Sequence, residues 1–263
     1  MFFHPGTGHF VGNYPFSHDY IDLIARYVLY DQVWNIGKAM ANQHDASGQQ
    51  IVFVFPVGGS TQSFGSFGSQ SGALRILQEV NYFIQRMQNV PFPLQPLGNV
   101  AISGFSAGIR TVSSILGSGR VAQFYDKLLK EVYSFDGTFV IRDKVTKKDI
   151  LDVVSTTNCI NQIKGWLRGG ADKRKVRVYT QGQIWLDQLK GSITSPTTIN
   201  GPDGSTEIHG DNGTILHTPS AMWKSVDPDI RRVAVDLSNI YKSVHQFIPA
   251  MFIQHAIKTC TLR

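Results

Sequence analysis

The sequence predicts an α/β fold, in which helices flank a mostly parallel central sheet. Short apolar runs bounded by turn-forming residues predict buried strands, and amphipathic segments with apolar residues at spacings of three and four lie between them. Strands that alternate with helices favour a parallel sheet covered on both faces. At 263 residues with 42% hydrophobic content, the chain can bury a sizeable core, and we expect a single domain over residues 1–263.

Two strands and two helices are predicted before residue 90. Phe2-Phe3 indicates the end of a strand that runs into a glycine-bearing loop, and Ser17-His18-Asp19 is an N-cap signal for a helix over about residues 20–42. Residues 50–55 form the clearest buried strand pattern in the chain, which ends at Pro56. A second helix is indicated by apolar residues at helical spacing: Ala73, Ile76, Leu77, Val80, Phe83, Ile84 and Met87.

The rest of the chain continues the alternation. Four further apolar runs predict strands at Asn99–Ser103, Glu131–Phe135, Val176–Tyr179 and Thr214–Leu216. Residues 141–175 are polar and mostly helical in pattern, and they could form a helical cap or insertion. Residues 191–213 are rich in loop formers, and a helix over residues 244–258 closes the chain.

One serine lies where a predicted strand meets a helix. Gly104-Phe105-Ser106-Ala107-Gly108 has the Gly-x-Ser-x-Gly spacing of a nucleophile elbow. Glycines on both sides allow the strand and the helix to approach each other, and the Ser106 Oγ then stands clear of the sheet edge at the helix N-terminus. We therefore predict that Ser106 is a nucleophile and that the Ala107 N–H stabilises an oxyanion.

A serine hydroxyl needs a histidine to accept its proton and a carboxylate to orient that histidine. Asp136 directly follows a predicted strand, so it should emerge at the same sheet edge as Ser106, and we expect it to be the acid. The next strand ends in Thr180-Gln181-Gly182, and no carboxylate follows it before Asp187, which is the alternative acid.

Four histidines follow the predicted acid in the chain. His245 precedes an apolar run, which suits a loop leading into the last helix, and we expect it to be the base. His209 and His217 flank the loop-rich segment and remain open as alternatives. His255 lies inside the last helix, where a packing or surface role is expected.

Charge and cysteine content exclude several other function classes. The formal net charge is +6 and the pI is near 9.3, but the basic residues are scattered, and the densest cluster, residues 173–177, is too short for nucleic-acid binding. Cys159 and Cys260 form neither a disulfide framework nor a metal site by spacing, and their pairing stays open. The sequence contains no run long enough to span a bilayer and no secretory signal, so a complete chain would be cytoplasmic.

These motifs resemble those of the α/β-hydrolase superfamily, of the esterase/lipase type. The resemblance rests on Gly-Phe-Ser-Ala-Gly at 104–108, on His-Pro-Gly-Thr-Gly at 4–8 in place of the family's His-Gly-Gly-Gly loop, and on the order Ser106, Asp136, His245. It covers about residues 2–258. Two departures stand out. The N-terminal loop starts so early that the family's first two strands should be missing, and the acid comes one strand earlier than in most members.

The resemblance implies a second oxyanion donor in the N-terminal loop. By element count, residues 4–8 occupy the position of the family's oxyanion loop, which makes Gly6 or Thr7 the expected donor. Residues 56–60 are the alternative.

The expected function is hydrolysis of a small-molecule carboxylic ester through a Ser-His-Asp triad and an acyl-enzyme intermediate, with no cofactor and no metal. A peptidase, thioesterase or acyltransferase on the same triad is one alternative, and a catalytically inactive hydrolase-fold binding protein is another. The oligomeric state is not indicated by the sequence.

Overall fold

A seven-stranded, mostly parallel sheet forms the centre of the described structure. The computed structural model describes residues 1–3, 44–56, 64–137, 139–142, 145–146, 149–170, 173–202, 204–218 and 248–262. The sheet strands are β1 (Phe2–Phe3), β2 (Val100–Phe105), β3 (Leu129–Phe135), β6 (Lys175–Thr180), β7 (Thr197–Asn200), β8 (Thr206–Gly210) and β9 (Gly213–His217). Their order across the sheet is β1-β2-β3-β6-β9-β8-β7.

The first five strands in that order run parallel, and β8 and β7 continue the sheet in antiparallel pairing. The carboxyl ends of β1, β2, β3, β6 and β9 therefore meet at one edge. A separate hairpin pairs β4 (Val140–Arg142) with β5 (Asp149–Leu151). Parallel strands require crossover connections, and helices supply them here.

Helices cover both faces of the sheet. They are α1 (Gln70–Met87), α2 (Ile109–Gly117), α3 (Val153–Arg168), α4 (Gln183–Leu189) and α5 (Ile248–Lys258). Buried residues of α1 to α4 pack on the face that carries Phe3, Ile102 and Val178. Buried residues of α5 pack on the opposite face with Phe2 and Tyr179, as the alternation of side chains along a strand requires. The α/β class predicted from the alternating pattern is therefore present.

The amphipathic pattern before residue 90 forms α1, which begins three residues earlier than its first patterned residue, Ala73. Ser69 is its N-cap, and the Ser69 side chain accepts a hydrogen bond from the Gly72 N–H. Ala73 and Leu77 are buried, whereas Phe83 is exposed although it belongs to the same apolar pattern. In its second half, the helix therefore buries fewer of the patterned apolar side chains than the sequence predicts.

The predicted strand at residues 50–55 is not a strand in the structure. The segment lies beside β1, and among the described residues the Phe2 N–H donates to the Val54 carbonyl at 2.9 Å. Its residues 51–55 are partly or fully exposed rather than buried.

Two segments with loop or helix patterns contain hairpins. Residues 141–175 were expected to be mostly helical, but the β4–β5 hairpin precedes α3. The loop-rich segment 191–213 contains β7 and β8, and between them the Gly204 N–H donates to the Gly201 carbonyl at 3.1 Å. Both strands contain β-branched residues, three in succession in β7 and alternating ones in β8, a signal that the surrounding glycines and prolines obscured. The predicted helix at 20–42 lies outside the described residues.

A buried cluster of charged and polar groups holds the chain's last described segment against the sheet. Glu131 of β3 is fully buried, and its carboxylate accepts hydrogen bonds from the Tyr133 hydroxyl at 2.5 Å and from the Thr261 N–H at 2.6 Å. The guanidinium of Arg177 lies 3.5 Å from the same carboxylate and donates to the Thr259 carbonyl. Burial, followed by the charge of Glu131, raises the pKa of Tyr133 well above its usual value.

Both cysteines are free thiols. Cys159 is buried in α3, and burial raises its pKa to about 12, which makes it a poor nucleophile. Within the described ranges, no helix combines the length and apolarity that crossing a bilayer would need.

Candidate active site

Ser106 is the first residue after β2, at the corner where the sheet passes into α2. A short 3-10 turn, Ser106–Gly108, leads directly into α2 at Ile109. Ser106 has a φ of 51°, in the left-handed region that non-glycine residues rarely adopt. This conformation costs roughly 1–2 kcal/mol for a residue with a side chain. Strained backbone conformations cluster at functional sites, although Asn89 and Ser195 also have left-handed backbone away from this corner.

Gly104 allows the strand and the helix to meet at this corner. A Cβ atom at residue 104 would lie 2.7 Å from both the Cα and the N of Ile109, which are backbone atoms that cannot yield easily. The first glycine of the Gly-x-Ser-x-Gly pattern is thus required by the close approach of β2 and α2, as the elbow interpretation predicts.

Asp136 follows β3 at the position next to Ser106 in the sheet. β2 and β3 are adjacent and parallel, and Phe105 is the register partner of Phe135, so each partner is followed by one of the two candidate residues. Asp136 also has a left-handed backbone, with a φ of 46°, and its side chain is buried with 3% exposure.

Three donors from the end of β6 hold the Asp136 carboxylate. Oδ1 accepts from the Thr180 hydroxyl at 3.0 Å and from the Gln181 backbone N–H at 2.8 Å, and Oδ2 accepts from the Gln181 side-chain amide at 2.9 Å. Hydrogen bonds to a carboxylate favour its charged form and fix its orientation. The buried side chain is therefore held as an ordered acceptor, which is the property that a triad acid needs.

Thr180 and Gln181 were not identified as site residues from the sequence. Their position directly after a buried strand was a usable signal, because the carboxyl ends of parallel strands share one edge. Thr180 and Gln181 carry no charge, but they donate to the carboxylate of the neighbouring strand end.

The alternative acid, Asp187, lies elsewhere. It is within α4 rather than at a strand end, and its side chain is 54% exposed. Its carboxylate accepts from the Gln183 side chain at 2.9 Å and lies 3.8 Å from the Lys190 amine. Neither partner connects it to the edge that carries Ser106.

Of the four histidines that follow Asp136 in the chain, three lie within the described residues. His217 is the last residue of β9, buried at the shared edge, and its Nε2 lies 3.3 Å from the Gln181 carbonyl. His209 is on β8, where its Nε2 lies 3.0 Å from the Glu207 carboxylate. His255 is in α5, and its Nδ1 contacts the Tyr179 hydroxyl at 2.9 Å. His245, the expected base, lies outside the described residues.

Of the expected oxyanion donors, Ala107 is the one described. It is partly exposed in the first turn after Ser106, where the N–H groups of a helix have no partner within the helix. Gly6 and Thr7 lie outside the described residues, as do residues 57–60 of the alternative loop.

A cavity of about 300 Å³ lies at the opposite, amino edge of the sheet. Its lining includes Val54, Leu77, Ala101 and Ile253, so it is mainly apolar and is separate from the Ser106 edge. Among the residues that the structure describes, no group of three His, Cys, Asp or Glu side chains is placed to hold a metal ion.

The structure therefore brings Ser106, Ala107 and Asp136 together at one edge, with His217 two strands beyond Asp136. No family model, no curated protein and no solved structure matches this chain.

Proposed function

We propose that this protein is a serine hydrolase that cleaves carboxylic esters, with Ser106 as nucleophile, Asp136 as acid and His245 as base, on an α/β-hydrolase fold. One observation carries the proposal: a serine with left-handed backbone stands at a strand-to-helix corner, beside a buried aspartate that ends the adjacent strand. The burial and the three donors at Asp136 support its role as the acid.

In this reaction the Ser106 Oγ attacks the ester carbonyl carbon while His245 accepts the hydroxyl proton. The tetrahedral intermediate places a negative charge on the former carbonyl oxygen, which the Ala107 N–H stabilises together with Gly6 or Thr7. His245 then donates its proton to the leaving alkoxide, and the alcohol departs. A water molecule attacks the acyl-enzyme with the same histidine as base, which releases the carboxylic acid and restores Ser106.

Asp136 acts on the histidine and not on the substrate. Its carboxylate accepts a hydrogen bond from the imidazole and stabilises the imidazolium that forms during each proton transfer. Thr180 and Gln181 keep that carboxylate in one orientation, so that the histidine meets a fixed acceptor. The mainly parallel sheet supports this arrangement because it aligns the ends of β2, β3 and β6 at one edge.

The experiment that tests the proposal is labelling of the full chain with a serine-directed fluorophosphonate, followed by peptide mapping. We expect a single adduct at Ser106. Ser106→Ala should abolish labelling and lower ester hydrolysis by about 10³-fold or more. Ser114→Ala is the matched control, because Ser114 is an exposed serine on α2 whose hydroxyl donates to the Gly68 carbonyl, and it should label as the wild type does.

A folded wild-type protein that takes up no phosphonate would contradict the serine hydrolase and favour the catalytically inactive binding protein. Mapping of the adduct to a serine other than Ser106 would refute the elbow interpretation. A panel of p-nitrophenyl esters compared with aminoacyl anilides then separates an esterase from a peptidase.

A further inference from the structure

The turn after β6 is held from two sides. On one side, Thr180 and Gln181 donate to the Asp136 carboxylate. On the other side, the Thr218 N–H donates to the Thr180 carbonyl at 2.9 Å, and the His217 Nε2 lies 3.3 Å from the Gln181 carbonyl. The end of β9 is thereby connected to Asp136 through a turn that contacts both.

The surroundings of His217 determine which ring nitrogen carries the proton. The Gln181 carbonyl can only accept, so the Nε2 of His217 must be the donor in that contact. Its Nδ1 is buried and has no hydrogen-bond partner among the described residues. Nε2 is therefore the ring nitrogen through which His217 holds the turn after β6.

This geometry is unlike that of a general base for Ser106. The side chain of His217 has only 6% exposure, and its Nε2 is directed at the Gln181 backbone instead of an open position beside the serine. The Nδ1 of His217 is also buried, so neither ring nitrogen is open to accept the Ser106 proton.

We propose that His217 is a positioning residue, which fixes the Asp136 carboxylate by holding Gln181. Gln181 provides two of the carboxylate's donors, its backbone N–H and its side-chain amide, so a shift of its backbone would move both. The inference rests on the proposed function, since positioning of Asp136 affects catalysis only if Asp136 is the acid.

The test compares His217→Leu, which removes the donor at similar volume, with His217→Gln, which retains an N–H donor. A hydrogen bond of ordinary strength contributes a factor of about three to ten, so kcat for p-nitrophenyl ester hydrolysis should fall about three- to tenfold in His217→Leu with KM unchanged. His217→Gln should recover most of that loss. His44→Leu is the matched control, because the His44 Nε2 also contacts a backbone carbonyl, that of Ile51, but beside the amino-edge cavity; it should retain wild-type kcat.

Two readouts separate positioning from a general structural effect. In an Asp136→Asn background, His217→Leu should cause no further loss of kcat, because both changes act through one carboxylate, whereas independent losses would multiply. Hydrogen exchange at the Gln181 backbone N–H should accelerate about three- to tenfold in His217→Leu, a measurement that needs no activity.

Multiplicative losses in the double variant, or unchanged exchange at Gln181, would overturn the positioning role. Failure of the proposed function has a different signature, since the wild type would then take up no phosphonate at Ser106. An active enzyme with wild-type kcat in His217→Leu would refute the positioning role alone.

Discussion

Ser106 and Asp136 are the first residues after two register partners, Phe105 and Phe135, and both have left-handed backbones, with φ values of 51° and 46°. The conformation costs roughly 1–2 kcal/mol for Ser106 and less for Asp136, because aspartate enters the left-handed region more readily than most residues. Two strained residues side by side at one sheet edge are difficult to attribute to stability alone, since glycine at either position would relieve the strain. The strain is consistent with side chains that are needed for chemistry.

The acid is tested by Asp136→Asn. An amide would favour the wrong tautomer of the histidine, so kcat should fall by about 10²–10⁴-fold with little change in KM. Asp187→Asn is the control, because Asp187 is exposed on α4 and its substitution should leave kcat nearly unchanged. Steady-state kinetics on one ester measure both variants, and the reverse pattern would assign the acid to Asp187 on α4.

The base is tested by pH dependence and by substitution. Only neutral imidazole accepts the Ser106 proton, so kcat/KM should rise through about pH 6–7, the ordinary range of histidine, and reach a plateau in mild alkali. His245→Ala should remove the activity. Loss of activity in His217→Ala with His245→Ala unaffected would contradict this assignment.

The close approach at the elbow predicts that Gly104→Ala destabilises the protein. Its Cβ would lie 2.7 Å from backbone atoms of Ile109, so β2 and α2 must move apart, at a cost of about 1–3 kcal/mol in the free energy of unfolding. The displacement should also lower ester hydrolysis.

Urea denaturation measures that effect against Gly98→Ala. A Cβ at residue 98 meets nothing within 4 Å, so the free energy of unfolding should change by less than about 0.5 kcal/mol. Equal effects of the two substitutions would mean that the glycine at 104 is not required by packing.

The buried cluster predicts that Glu131→Ala is strongly destabilising. It would leave the Arg177 guanidinium, which is 3% exposed, without its carboxylate, at a cost of about 3–5 kcal/mol in the free energy of unfolding. Glu79→Ala removes an exposed ion pair with Arg75 and should cost less than about 1 kcal/mol.

If Glu131→Ala does not fold, the double variant Glu131→Leu with Arg177→Met tests the same idea. Replacing both charges with apolar side chains removes the unpaired ion, so the double variant should be more stable than Glu131→Ala in urea denaturation. A double variant no more stable than the single one would contradict the ion-pair explanation.

The lowered pKa of His255 predicts that the stability of the protein depends on pH. Burial first, then the positive charge of Arg177, lowers its pKa below 6.5 in the folded state. The unfolded chain therefore binds a proton more readily as the pH falls through 6.5, and acidification favours unfolding. The wild type should lose more thermal stability between pH 7.5 and 5.5 than His255→Gln does. Parallel curves for the two proteins would contradict the lowered pKa.

The sequence by itself determined the features that depend on neighbouring residues. The Gly104-x-Ser106-x-Gly108 spacing predicts the strand-to-helix corner, since the steric demand arises within five residues of chain. The helix from Gln70 to Met87 is likewise encoded by its own periodicity. Asp136 was found because its position at the end of a strand can be recognised locally.

Only the tertiary structure decided which distant residues meet. Gln181 donates to Asp136 from 45 positions away, and Thr261 donates to Glu131 from 130 positions away. Residues 50–55 show the same limit in reverse: their apolar pattern suits a strand, but they form none in the structure. Strand pairing and the partners of buried polar groups depend on register between remote segments, which local periodicity does not encode.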